Sequence, residues 1–87
     1  MSWNISVEGE RENVAGRVMQ DFGNCIAQSS GDLGFVREYE TVRAAVLSAI
    51  NATPGARLRL ETHGHWSFEQ GVANHGTFYI SVCALSE

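Results

Sequence analysis

The sequence predicts an α+β domain, a three-stranded sheet with two helices packed on one face, in the order β-α-α-β-β. Three observations carry this. Apolar and polar residues alternate near the N-terminus and twice in the C-terminal third, the pattern of half-buried strands. Between those segments, two stretches repeat their apolar residues at the spacing of amphipathic helices. Finally, 87 residues support only one core, because a domain of this size buries about 60–65% of its unfolded surface. Residues 1–87 are therefore one domain, and a two-layer packing buries every apolar stripe at once.

The first strand covers Trp3 to Glu8, with Trp3, Ile5 and Val7 inward, and Gly9 ends it. From about Glu10 to Gln28 the residues Val14, Ala15, Val18, Met19, Phe22, Cys25 and Ile26 recur on one helical face. Glu10 and Glu12 suit the positive N-terminal end of that helix. Gly16 and Gly23 each lower its propensity by about 1 kcal/mol, which predicts close packing against a neighbour or a helix held by the core. Ser29 to Gly34 form a turn, followed by a second helix from about Phe35 to Ala52. Its stripe is Phe35, Val36, Tyr39, Val42, Ala45, Val46, Ala49 and Ile50, with Arg37, Glu38, Glu40 and Arg43 on the solvated edge. Thr53-Pro54-Gly55 stops it, since the residue before proline is pushed out of the helical region. Ala56 to Trp66 and Thr77 to Leu85 then form a hairpin through a polar loop, Ser67 to Gly76.

Composition removes several functions. All six basic residues are arginine, so neither a P-loop lysine nor a Schiff-base amine is present. Ten acidic residues give a net charge of -4, against the broad basic surface of a nonspecific nucleic-acid binder. No apolar run reaches the roughly 18 residues of a membrane span, and Met1-Ser2-Trp3-Asn4 lacks the features of a signal peptide, so a cytoplasmic location is expected. Cys25 and Cys83 fall on opposite sides of the sheet and are expected to stay reduced. There is no recognisable nucleophile motif, and Glu38 and Glu40, two apart on a helix, do not face each other. A non-enzymatic protein without a cofactor is expected.

Strand parity supplies the candidate site. With Leu58 and Leu60 towards the helices, Arg57, Arg59, Glu61, His63 and His65 line the opposite face, joined by Tyr79, Ser81 and Cys83 and by Asn4, Ser6 and Glu8. Residues 1–54 hold four arginines against seven acidic residues, whereas 55–86 hold two of each and all three histidines, so the open face is expected to be locally basic. Guanidinium forks bind phosphate bidentately, imidazoles add donors and a tyrosine stacks on a base, which makes Arg57, Arg59, His63, His65 and Tyr79 the candidate ligand-binding residues. His63 and His65 are weaker candidates for a metal, with Glu61 or His75 as third ligand. The spacing of His65, Glu69 and Gly76 is similar to half of a cupin metal motif.

Two resemblances bear on function. Gly31-Asp32-Leu33-Gly34 between two helices, in a β-α-α-β-β order, resembles the KH RNA-binding core, whose G-x-x-G loop clamps a nucleic-acid backbone, although this loop carries Asp32 and no basic residue. Met1-Ser2-Trp3-Asn4-Ile5, Ala49-Ile50-Asn51-Ala52-Thr53-Pro54 and Thr62-His63-Gly64-His65 resemble a group of small, largely uncharacterised bacteriophage proteins. That resemblance implies a phage accessory protein in the cytoplasm of a bacterial host. Such proteins include inhibitors of host defence, among them sponges that sequester nucleotide immune signals. The expectation is a non-enzymatic homo-oligomer that binds a small anionic ligand such as a nucleotide signal. The alternatives are a module that inhibits a host protein, a KH-like RNA-binding protein and a metal-binding protein. Neither a membrane nor a nucleic-acid partner is expected from the composition.

Overall fold

The middle strand of the sheet is the one that opens the C-terminal hairpin, so the hairpin organises the whole molecule. The computed structural model describes residues 2–29, 36–69 and 72–85. Its elements are β1 (Ser2–Glu10), α1 (Arg11–Ser29), α2 (Val36–Asn51), β2 (Arg57–Glu69) and β3 (Val72–Ala84), the β-α-α-β-β order that the sequence predicts. The sheet is antiparallel throughout, in the order β1-β2-β3. No helix among the described residues is long and apolar enough to cross a membrane. Of the predicted Ser29 to Gly34 turn, Ser29 instead ends α1, and residues 30–34 lie outside the described residues together with Phe35, and with them the loop on which the KH resemblance rests.

Alternation decides which side of the sheet is covered. Trp3, Ile5 and Val7 of β1 and Leu58, Leu60 and Thr62 of β2 are buried beneath the helices. From α1 come Val14, Val18, Met19, Phe22 and Ile26, and from α2 Val42, Val46 and Ile50. Each large aliphatic or aromatic side chain so buried contributes about 1.5–3 kcal/mol relative to exposure. Phe22 sits at the centre. Its ring meets Trp3 edge-on at 5.0 Å and stacks on Tyr39 at 6.2 Å, which ties both helices to β1. Thr62 is the one buried polar side chain among the described residues, and its Oγ1 accepts a hydrogen bond from Trp3 Nε1 at 3.4 Å. Phe78, Ile80 and Val82 of β3 are only partly buried, so the helices cover this edge less completely.

The hairpin differs from expectation. The polar stretch Ser67 to Gly76 is not a loop: β2 runs on to Glu69 and β3 begins at Val72. Its composition favours turns, but the backbone pairs Trp66 with Gly76, Phe68 with Ala73 and Glu69 with Val72. A register shift between Trp66 and Phe68 sets Ser67 against two residues of β3, the two-against-one arrangement of a bulge, and so admits the irregular stretch into the ladder. β1 stops pairing at Ser2↔His65. Beyond it the hairpin continues as a two-stranded ribbon, and the molecule measures 47 × 18 × 17 Å.

One arginine fastens the remaining joints. Arg11 begins α1 directly after β1, and its backbone N–H donates to Ala56 O at 2.9 Å. Its guanidinium donates to Gly55 O at 2.7 Å, to Ile50 O at 2.9 Å and to Thr53 O. The last turn of α2 has no basic residue of its own. Arg11 therefore supplies, from a different helix, the cation and donors that helix C-terminal carbonyls attract.

Candidate functional site

The open face is the side of the sheet away from the helices, and parity places the candidate residues on it. Arg57, Arg59, Glu61, His63 and His65 are all exposed, as are Tyr79, Ser81 and Cys83 on β3 and Asn4, Ser6 and Glu8 on β1. Register groups them into rows across the strands. Asn4, His63 and Tyr79 form one row, Ser6, Glu61 and Ser81 the next, and Glu8, Arg59 and Cys83 the third. His65 stands between Ser2 and Thr77.

The rows differ in chemistry. In the first, the His63 and Tyr79 rings lie 5.2 Å apart with a 31° tilt, and Tyr79 is 64% exposed. A flat, wet aromatic surface of this kind accepts another ring on its free side. At the other end, Arg59 donates from Nε to Glu8 Oε1 at 2.6 Å and Arg57 donates from Nη1 to Glu10 Oε1 at 3.1 Å. The hydrogen bond and the charge of Glu8, with smaller help from Cys83 and Glu61 against a small loss from burial, raise Arg59 above its ordinary pKa. It remains a cation at any working pH.

This changes the expected electrostatics. The arginine end of the face is ion-paired, not a bare basic patch, because β1 brings two carboxylates across to it. Glu10 closes β1 immediately before α1, so it belongs to the strand and not to the helix, and beside its place at the helix's N-terminal end it is a cross-strand partner of Arg57. The signal was available. Continuing the first strand's alternation past Gly9 and pairing it antiparallel with Arg57–His65 puts Glu8 opposite Arg59 and Glu10 opposite Arg57.

The glycine between the two histidines has a packing explanation. Gly64 points to the covered side, between Trp3 and Phe78 in the register, and a methyl there would lie 2.6 Å from Phe78 Cβ and from Thr77 O. The His-Gly-His spacing thus follows from the core below as well as from any site above. Among the described residues, no group of three His, Cys, Asp or Glu side chains gathers as a metal-ligand set. His75 belongs to β3 and not to a loop, and its side chain lies outside the described part of the structure.

Cys25 is partly buried against the core and Cys83 is exposed on the open face, so the sheet separates the two thiols as expected. Compared with protein-family models, curated proteins and solved structures, the chain matches none.

Proposed function

We propose that the protein binds a small ligand carrying both a planar ring and an anionic group on its open sheet face, without turning it over chemically. The observation that carries this is the exposed Tyr79 ring beside His63, 5.2 Å away, in the same stripe as His65 and Arg59. A base would stack on the aromatic pair while imidazole donors and a guanidinium receive its phosphate. Arg59 and Arg57 would exchange Glu8 and Glu10 for the ligand, a modest cost because exposed ion pairs are weak. The resemblance to small bacteriophage proteins supports a nucleotide immune signal as the ligand and sequestration in the host cytoplasm as the function. A homo-oligomer suits this function. Ligand sites are concave, whereas a three-stranded sheet is shallow, and two copies face to face would enclose what one copy only supports.

Native mass spectrometry of the protein with and without cyclic dinucleotides or ADP-ribose tests the proposal. A nucleotide-dependent mass, lost in Tyr79→Ala and in the Arg57→Ala, Arg59→Ala pair, is expected. No mass or melting shift with any of these ligands would overturn it.

A second reading, a module that inhibits a host protein, is favoured by β3. That strand forms one edge of the sheet, and Phe78, Ile80 and Val82 on its helix side are only partly covered. An added strand from a partner would complete both the ladder and the burial. Recovery of one host protein in stoichiometric amount, lost on an Ile80→Lys substitution, would select this reading.

A further inference from the structure

On the helical side of the molecule, far from the sheet's open face, α1 and α2 leave a groove between them. Its volume is about 370 Å³, and it is lined by Ala15, Gly16, Met19 and Gln20 from α1 and by Tyr39, Arg43 and Leu47 from α2. Two features of it are unexplained by the core. The first is Gly16. A helix-interior glycine is costly, and at Gly23 a methyl would at least meet Tyr39 Cε2 in an ordinary contact at 3.7 Å. At Gly16 a methyl would meet nothing within 4 Å. The missing side chain admits no neighbour and leaves the groove open.

The second feature is Arg43. Arg11, Arg17, Arg57 and Arg59 all donate to carbonyls or carboxylates. Among the described residues, Arg43 makes no hydrogen bond or ion pair and is the only charged side chain in the lining. The other polar groups there are the Gln20 amide and the Tyr39 hydroxyl, both able to donate. The apolar part is Met19, Ala15 and Leu47, and Leu47 is 36% exposed although it is aliphatic. A cation with donors at hand, set beside a short apolar strip in a lining of mixed polarity, is complementary to an anion that carries an apolar tail.

We infer that this groove is a second binding site, for a single-chain aliphatic carboxylate whose head meets Arg43 and whose chain lies along Met19 and Leu47. It is independent of the proposed sheet-face ligand, since the two sites lie on opposite sides of the sheet and share no residue.

Octanoate is the probe, octanol its uncharged counterpart and acetate the head alone, each titrated into the full chain and followed by amide chemical shifts. Octanoate is expected to move Ala15, Gly16, Gln20, Arg43 and Leu47 together in a saturable manner, leaving His63 and Tyr79 in place. Octanol and acetate are expected to bind at least tenfold more weakly. Arg43→Gln should remove the preference for octanoate over octanol, and Gly16→Leu should fill the trough and abolish octanoate binding while the protein melts no lower than the wild type. Equal binding of octanoate and octanol would reduce the site to an apolar groove, and equal binding of octanoate and acetate would reduce it to a surface cation. Either result, or an absence of shifts in the groove, overturns the inference.

Discussion

Trp3 and Phe78 meet over Gly64, their ring centroids 6.3 Å apart although a whole strand separates them. Neighbouring strands run about 4.8 Å apart, so the outer two can share a contact only if the middle one contributes no side chain on that side. Gly64 meets that condition, and the aromatic pair covers its bare backbone.

Gly64→Ala should therefore destabilise the fold by about 1–3 kcal/mol, the usual cost of forcing extra volume into a packed site. The clash is with backbone and Cβ atoms of β3, which cannot swing aside as a long side chain would. Denaturant unfolding gives the value, and wild-type stability in this variant would show that the hairpin accommodates the methyl.

Arg11→Met keeps the aliphatic stem but removes the donors to Ile50 O, Thr53 O and Gly55 O. A loss of about 1.5–3 kcal/mol is expected, the value of hydrogen bonds to a charged group. Amide hydrogen exchange should quicken first around Ala52 and Thr53, whose amides bond back to Ser48 and Ile50. A uniform acceleration across all helices would instead mean that Arg11 has no local role.

Gly16→Ala should raise stability by about 0.5–1 kcal/mol, because alanine restores helix propensity and the added methyl meets no neighbour. Thermal melting measures it. A lower melting temperature would mean that the groove at Gly16 is occupied in solution.

Neutralising the carboxylates offers a sharper test of the sheet-face ligand. Glu8→Gln with Glu10→Gln frees Arg59 and Arg57. Stability should change little, since exposed pairs contribute little, while affinity for an anionic nucleotide should rise several-fold and fall again with added salt. Unchanged affinity in this double variant, measured by calorimetry, would place the phosphate away from the arginines.

Much of this was legible in the sequence because burial on one face imposes a period. Trp3, Ile5 and Val7, then Val14, Val18, Met19, Phe22 and Ile26 of α1, and Leu58 with Leu60 are buried as their spacing predicts, while Ala15 and Cys25 of the same stripe are partly buried. What escaped was long-range or irregular. Arg11 reaches residues about forty positions away, and nothing in its own neighbourhood marks it as a clamp. The continuation of the hairpin through Ser67 to Gly76 was hidden because glycine and polar residues that favour turns are also tolerated in a bulged ribbon. The ion pairs were missed because alternation alone assigns no register between the first strand and Arg57–His65, and because ending that strand at Gly9 left Glu10 on the wrong element.

The strict alternation along β2 ties two properties together. Each residue from Arg57 to His65 belongs either to the core or to the open face, and neighbours never share an assignment. Replacing outward residues rewrites the surface without touching the interior, so this face is free to diversify. Inserting or deleting a single residue before Thr62 does the opposite: it would turn His63 or Glu61 inward and Leu60 outward. The protein can change what it displays by substitution alone, and its sequence tolerates no slippage there.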